Sequence, residues 1–453
     1  MGADPPALPK LRQAFPVWLK IALLSFGGPA GQIAVMHRIL VEERRWISET
    51  RFLHALNYCM VLPGPEAQQL ATFIGWLMHG QAGGIMAGGL FILPGALVML
   101  ALSMAYLAFG HLALATAVLA GLKAAVLILI AQAVYRLGGR ILGSKLKQIL
   151  ACAAFFGLFV LQLPFPIVIG SAALFGFIAG PRSGLSGAAP DADSPQKSAD
   201  RSLLQDYSPP HTHPDVRNTL VTIVVWGGLW LAPTLLCLYS RGFTDIFSQT
   251  GWFFTKTALM TFGGAYSVLA YVAQQAVETQ HWLSPQDMIN GLGLAETTPG
   301  PLILVLQFIA FMAGAQAHAE FSPQTAGILA SVLASWATFM PCFLWIFAGG
   351  PFVEILRGTH KLKGALNAIS ACTVGIIANL GVWLALRTLF GQMNEAHIFG
   401  LGVSVPQFSS LNTAIALLVL IMGAAAAMRP LAMPVLIGLS VSLACAARLT
   451  GWL

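Results

Sequence analysis

Charged residues are scarce in this sequence. Asp, Glu, Lys and Arg make up 9% of the 453 residues, whereas about 25% is usual for a soluble domain. Hydrophobic residues make up 57%, which excludes an ordinary globular protein. The alternating pattern of an outer-membrane barrel is missing as well, while apolar runs near the ~20 residues of a spanning helix recur. The composition therefore predicts an all-α polytopic membrane protein.

Cysteine is also sparse, with six residues and no CxxC spacing. All six lie in apolar surroundings, so neither a disulfide framework nor a zinc site is predicted, and we expect no metal and no cofactor. The net charge of +7 does not indicate nucleic-acid binding, because Lys and Arg are concentrated in a few short loops. The charge instead reports how the chain is oriented in the membrane.

Two short motifs occur twice, each copy 236 positions after the first. Phe26-Gly27-Gly28 recurs as Phe262-Gly263-Gly264, and Pro63-Gly64-Pro65 recurs as Pro299-Gly300-Pro301. In that register fifteen of the forty-six positions from 20 to 65 are identical, including Lys20 with Lys256 and Glu42 with Glu278. Such long similarity indicates an internal duplication and two structural repeats.

The apolar segments divide the chain into four parts. Residues 1–180 contain six segments and form the first repeat, and residues 181–217 form a hydrophilic cytoplasmic linker. Residues 218–240 form one extra transmembrane helix, and residues 241–453 contain six segments of the second repeat. The odd number of segments before the second copy inverts it relative to the first, as in many secondary transporters.

The basic loops predict a cytoplasmic N-terminus. Lys and Arg cluster after the fourth and tenth segments, and both clusters then lie inside. The basic loop 38–51 would face outward if every segment crossed the membrane. It would lie inside if the FGG and PGP segments were re-entrant hairpins, since each half-segment, such as 14–26, spans only about 20 Å. Two topologies of the FGG and PGP segments therefore remain open: re-entrant hairpins, and broken helices that cross the membrane.

Gly and Pro interrupt apolar helices at the four motifs. Irregular backbone at membrane depth is tolerated only where it is buried in protein or lines a wet cavity. A half-helix that begins at such a break directs free N–H groups and its positive dipole end into the cavity, which suits a tetrahedral oxyanion. The alternative is that the motifs only kink ordinary spans. The glycines predicted at the site are Gly27, Gly28, Gly64, Gly263, Gly264 and Gly300.

Three lysines lie within apolar segments, where a charge is costly and usually functional. Lys20 and Lys256 each precede an FGG motif by almost two helical turns, and Lys123 lies in a third apolar segment and is not duplicated. We expect them to contact an anionic substrate. The alternative is that the side chain extends to the membrane interface, as Lys20 could do toward the basic N-terminus.

Two acids and several neutral polar residues flank the breaks. Glu66 follows the first PGP and Glu296 precedes the second, and they are not equivalent in the repeat. Desolvated carboxyl groups are candidate proton carriers, although each could instead cap or brace a broken helix. The residues predicted to hydrogen-bond an oxyanion, with helix capping as the alternative, are Ser25, Gln68, Gln69, Thr261, Thr297 and Thr298.

The motif runs resemble the chromate transporter (CHR) family, of the long type with two fused repeats. The similarity is carried by SFGGPAGQIAVM, VEERRWIS and LPGPEAQQLATFIGW in the first half, and by TFGGAYSVLAYVAQQAVE and WLSPQDMINGLGLAETTPGPLI in the second. The resemblance implies a bacterial inner-membrane protein that exports chromate, driven by the proton motive force, and confers chromate resistance. Sulfate, a similar tetrahedral dianion, is a further candidate substrate. The second FGG is followed by Ala265 instead of proline, which leaves open whether both FGG breaks bind substrate.

The expected fold is thus two inverted-topology repeats with broken or re-entrant helices at FGG and PGP, joined by a linker and one extra transmembrane helix. Three other functions remain open: a transporter of sulfate or another oxyanion, an anion channel, and an enzyme of the membrane interior. No HExxH, nucleophile elbow or Asp/His cluster supports the enzyme. The predicted partners are the substrate anion, protons and the lipid bilayer, and the sequence allows a homodimer.

Overall fold

The computed structural model describes residues 8–26, 28–179, 209–262, 265–317, 320–352, 360–398, 401–428 and 431–451. Three predicted site residues, Gly27, Gly263 and Gly264, lie outside the described residues, as does most of the predicted linker. The described residues are almost entirely helical and form two compact units. The all-α prediction is confirmed.

The first unit contains helices from both repeats. Its first-repeat helices are α1 (Leu11–Leu24), α2 (Gly28–His37), α3 (Glu49–Cys59) and α4 (Glu66–Phe109) as far as Leu100. Its other helices are α8 (Val216–Arg241), α9 (Ile246–Met260), α12 (Val305–Ala317) and α13 (Pro323–Gly349). A π-helical turn, Arg38–Glu43, extends α2, and a 3-10 turn, Leu302–Leu304, precedes α12.

Helix α4 is two antiparallel helices joined at a sharp turn. His79 and Gly80 have non-helical backbone angles, with φ of −140° and 62°. Gly75 before the turn packs directly on Gly83 after it: a Cβ on Gly75 would lie 2.4 Å from the Gly83 carbonyl oxygen. Small residues allow such close approach of membrane helices. The sequence has apolar runs near 52–79 and 83–109, and the turn falls at their junction.

The second unit contains the last residues of α4 and the remaining helices. These are α5 (Ala113–Ile141), α6 (Lys145–Phe159), α7 (Phe165–Ala179), α10 (Ala265–Gln274) from Tyr266 onward, α11 (Pro285–Glu296), α14 (His360–Leu389), α15 (Thr413–Met428) and α16 (Met433–Leu449). A π-helical turn, Gln275–Thr279, extends α10. Glycines again bring helices together: a Cβ on Gly375 would lie 2.0 Å from the Ala151 carbonyl oxygen.

A β-hairpin between α14 and α15 was not predicted. Strands β1 (Met393–Ile398) and β2 (Leu401–Pro406) pair antiparallel with each other. The sequence has apolar runs near 364–388 and 409–427, so the stretch between them is expected to form a loop. In the described part of the chain these are the only strands.

Both breaks of the first repeat reverse the direction of the chain. Nζ of Lys20 in α1 lies 3.6 Å from a carboxylate oxygen of Glu43, at the far end of the extended α2. Along a straight path these residues would be more than about 30 Å apart, at ~1.5 Å per residue. Likewise the rings of Tyr58 in α3 and Phe73 in α4 have centroids 5.5 Å apart on either side of the PGP break. The fold-back favours the re-entrant alternative for this repeat.

Five helices in the described part of the chain are long and apolar enough to cross a membrane by length and composition. They are α4, α5, α8, α13 and α14. Helix α8 is the least buried of them, and Leu220, Val224 and Leu236 on it are exposed. Its apolar surface suits contact with lipid. The protein is therefore a polytopic membrane protein.

Candidate functional site

The four breaks are joined in pairs across the two repeats. The Gly64 amide of the first PGP donates a hydrogen bond to the carbonyl of Thr261, 2.7 Å away, just before the second FGG. The Gly300 amide of the second PGP donates to the carbonyl of Ser25, 2.8 Å away, just before the first FGG. Gly64 is equivalent to Gly300, and Ser25 to Thr261, so the two bonds are copies of one contact. The first unit therefore contains a two-fold arrangement of broken helices.

The PGP glycines adopt backbone angles that favour glycine. Gly64 has φ of 126° and Gly300 has φ of 95°. Left-handed φ values let the chain turn sharply, and the flanking prolines lack N–H groups that the turn would leave unpaired. The amides of these two glycines are engaged with protein carbonyls. A substrate at these breaks would use the first-turn amides of the half-helices or side chains.

Glutamine amides stabilise the same region. Nε2 of Gln69 donates to the carbonyl of Pro63 at 2.7 Å, while the side-chain oxygens of Gln68 and Gln69 are buried without a hydrogen-bond partner among the described residues. Gln32, which the sequence analysis missed, donates from Nε2 to the Gly300 carbonyl at 2.6 Å. Its only signal was a polar residue in an apolar helix, and its repeat equivalent is Val268.

The predicted hydroxyl groups bond mainly within their own helices. Oγ of Ser25 donates to the Ile21 carbonyl and Oγ1 of Thr261 to the Thr257 carbonyl, each at 2.7 Å. Thr297 bonds the Leu294 carbonyl in the same way. These contacts match the helix-capping alternative and leave the hydroxyl oxygens as acceptors. Thr298 is buried near the second PGP.

The duplicated lysines have different surroundings. Lys20, with 55% of its side chain exposed, forms the ion pair with Glu43 described above. Lys256 is half-buried, and its Nζ lies 5.9 Å from the centre of the Trp252 ring. The position equivalent to Glu43 is Thr279. Among the described residues, Lys256 has no carboxylate partner.

The two candidate proton carriers also differ. Glu66 begins the half-helix after the first PGP, and no described residue hydrogen-bonds to its carboxylate or forms an ion pair with it. Glu296 is 5% exposed and lies in the second unit, where it accepts a hydrogen bond from the Tyr266 hydroxyl at 2.7 Å. Only Glu66 shares a unit with the paired breaks.

Lys123 belongs to a separate polar cluster in the second unit. Its Nζ donates to Oε1 of Gln286 at 2.8 Å. Nearby, the hydroxyl of Tyr106 donates to Asp287 at 2.5 Å and accepts from the Asn290 amide at 2.9 Å. The first unit therefore contains Gly28, Gly64, Gly300, Lys20, Lys256 and Glu66, whereas Lys123, Glu296 and Thr297 lie in the second.

Comparison with known proteins identifies the family. The profile of the chromate transporter family matches residues 12–177 and 248–446, which include both copies of the motifs and most of the chain. The chain belongs to the chromate transporter family. Membership indicates a transporter and not an enzyme, and the two matched regions agree with the two repeats.

Three relatives in this family cover most of the chain. A chromate transport protein of Pseudomonas aeruginosa is 31% identical over 83% of this chain and 81% of its own length. A probable chromate transport protein of Synechococcus elongatus is 28% identical, over 84% of this chain and 86% of its own. A chromate transport protein of Cupriavidus metallidurans is 24% identical, over 84% of both chains. No solved structure matches the chain significantly.

Proposed function

We propose that this protein is a secondary active transporter that exports chromate across the bacterial inner membrane, driven by the proton motive force. The observation that carries the proposal is the pair of equivalent bonds, Gly64 to Thr261 and Gly300 to Ser25, which join the broken helices of the two repeats. Inverted repeats that meet at broken helices form the substrate sites of many secondary transporters. The names of the relatives support chromate as the substrate.

In this proposal Lys256 and Lys20 attract the dianion to the breaks. Lys256 lacks a carboxylate partner among the described residues, so its charge is available to an anion, whereas Lys20 is paired with Glu43 and must exchange that partner for the substrate. Half-helix N-termini add partial positive charge. Sulfate has the same charge and shape as chromate and is the closest alternative substrate.

Glu66 is the better placed of the two acids to carry a proton. Its carboxylate lies beside the first PGP in the same unit as the paired breaks, and its charge is not balanced by an ion pair within the described chain. Protonation at one membrane face and release at the other would couple proton entry to anion exit. The N-terminus and the basic loops lie in the cytoplasm, in accordance with the positive-inside rule.

The experiment is transport by purified protein in proteoliposomes with an imposed pH gradient. We expect saturable accumulation of chromate that collapses when a protonophore is added. Chromate should be recovered chemically unchanged, and excess sulfate is added in a parallel assay to measure competition. Chromate accumulation that is unaffected by the protonophore would contradict proton coupling. Linear, non-saturable flux would indicate a channel, and preference for sulfate would change the substrate.

A further inference from the structure

A partly polar cavity of about 100 Å³ lies within the second unit, whereas the paired breaks belong to the first. It is enclosed by the extended end of α10, the end of α14 and the turn between α6 and α7. Its polar lining includes Gln274, Glu278, Asn379, Trp383 and Arg387. The proposed transport mechanism uses none of these residues.

Arg387 is held loosely at the cavity wall. Its guanidinium Nη2 lies 3.5 Å from Oε1 of Glu278, longer than the ~2.7–2.9 Å of a strong charge-assisted bond. The same carboxylate oxygen accepts a hydrogen bond from Trp383 Nε1 at 3.0 Å. The guanidinium also lies 5.6 Å from the centre of the Trp383 ring. The Arg387 guanidinium and the Trp383 N–H thus share one oxygen of Glu278, and an anion in the cavity could accept a stronger hydrogen bond from Arg387.

Two carboxamides complete the donor set. The side chains of Gln274 and Asn379 are half-buried at the cavity and have no hydrogen-bond partner among the described residues. Guanidinium, indole and amide groups all donate hydrogen bonds. An oxyanion with four acceptor oxygens matches such a set better than a cation or an apolar ligand would.

The cavity is lined by Gln274 and Glu278 of the stretch 274–287, which is the second-repeat equivalent of the basic loop 38–51. In the proposed orientation, with a cytoplasmic N-terminus and an inverted second repeat, the stretch 274–287 faces the outside of the cell. Gln286, in the same stretch, fixes the backbone of Arg387 by donating to its carbonyl at 3.0 Å. An anion that leaves the cell would pass this face.

We propose that this cavity is an exit-side subsite for a tetrahedral oxyanion, in which Arg387 binds the anion and Glu278 competes with it for the guanidinium. The proposal rests on the proposed function. An arriving dianion displaces Glu278 from Arg387 and from the Trp383 N–H. When the anion leaves, Glu278 returns and closes the subsite against rebinding.

The test measures the half-saturating chromate concentration separately at the two membrane faces. Right-side-out vesicles, loaded with chromate for exchange, report the outer face, and inverted vesicles report the inner face. Arg387→Gln is expected to raise the outer-face value about tenfold, because a charged hydrogen bond is lost. Glu278→Gln is expected to lower it severalfold, and Arg387→Lys to retain most of the affinity. Inner-face values are expected to stay within about twofold.

The opposite signs separate a binding site from a structural brace. Both Arg387→Gln and Glu278→Gln break the same ion pair, so a brace predicts changes in the same direction, and that result would overturn the proposal. The proposal would also be overturned if the half-saturating chromate concentration did not change at the outer face, or changed only in inverted vesicles. If Arg387→Gln is not recovered folded, the sign of the Glu278→Gln effect decides.

Two variants are matched controls: Glu42→Gln, at the first-repeat position equivalent to Glu278, and Arg140→Gln, at an exposed helix end. Both should leave the half-saturating chromate concentrations at the two membrane faces unchanged. Calorimetric titration of purified protein with chromate, and separately with sulfate, distinguishes the two proposals. Absence of chromate transport by the unaltered protein would contradict the proposed function. Transport with indistinguishable anion affinity in all variants would contradict only the subsite.

Discussion

Lys20 and Lys256 occupy the same position in the two repeats but have different partners. We expect Lys256→Ala to reduce chromate transport about tenfold or more, because a hydrogen bond to a charged group contributes ~1.5–3 kcal/mol. Uptake into inverted vesicles measures the effect, and Lys256→Arg should restore part of it. Lys10→Ala, at an exposed position before α1, is the control. Full transport by a Lys20→Ala, Lys256→Ala double variant would exclude both lysines.

Glu66 can be tested by removing its charge. We expect Glu66→Gln to abolish chromate accumulation driven by a pH gradient and to retain exchange of chromate down its own gradient, because only the proton carrier is lost. Parallel assays of gradient-driven uptake and exchange in proteoliposomes measure the two activities. Glu49→Gln, in the exposed pair with His37, is the control. Normal gradient-driven uptake by Glu66→Gln would assign the proton to another group.

Residue identity alone could predict which positions are unusual but not what they contact. Lys20, Lys256 and Glu66 lie in the first unit with Gly64 and Gly300, whereas Lys123 and Glu296 lie in the second. The partner of Lys20 could not be predicted, because Glu43 lies in a loop whose charges mainly reported orientation. Gln32 could not be predicted either, because its side chain bonds the carbonyl of Gly300, which lies 268 positions further along the chain.

At the scale of elements, the reversal of α1 on α2 predicts membrane sidedness. Arg44 and Gln280 are exposed and equivalent in the two repeats. In a background without the native cysteines, Arg44→Cys should react with an impermeant thiol reagent only from the cytoplasmic side. Gln280→Cys should react only from the outside, because the second repeat is inverted. Labelling of both from one side, or of Arg44→Cys from the outside, would contradict the re-entrant topology.

The PGP turns should be intolerant of side chains. Gly64→Ala places a Cβ 2.7 Å from Nε2 of Gln69 and 2.8 Å from Sγ of Cys342, at a φ that costs a non-glycine residue ~1–3 kcal/mol. We expect a lower melting temperature of the detergent-purified protein, with a smaller decrease for Gly300→Ala, whose nearest contact would be 3.2 Å. Gly89→Ala, with open space around it, is the control. Equal melting temperatures for Gly64→Ala and Gly89→Ala would show that the turn is not constrained.

Long helices could be predicted from apolar runs, and the helix Val216–Arg241 contains the apolar stretch 218–240. The β-hairpin could not, because its strands Met393–Ile398 and Leu401–Pro406 are short, mix polar and apolar residues, and pair only with each other. The choice between re-entrant and continuous helices could not be predicted either. It depends on contacts such as Tyr58 with Phe73, which sequence periodicity does not contain.

At the scale of the whole molecule, the duplication has a consequence for how the protein could be divided. The amides of Gly64 and Gly300 find their acceptors in opposite halves of the sequence. Either half produced alone would leave buried amide and carbonyl groups unpaired, at several kcal/mol each within a bilayer. A gene cut between residues 181 and 217 should therefore yield two fragments that are degraded when expressed singly and that restore chromate transport when co-expressed.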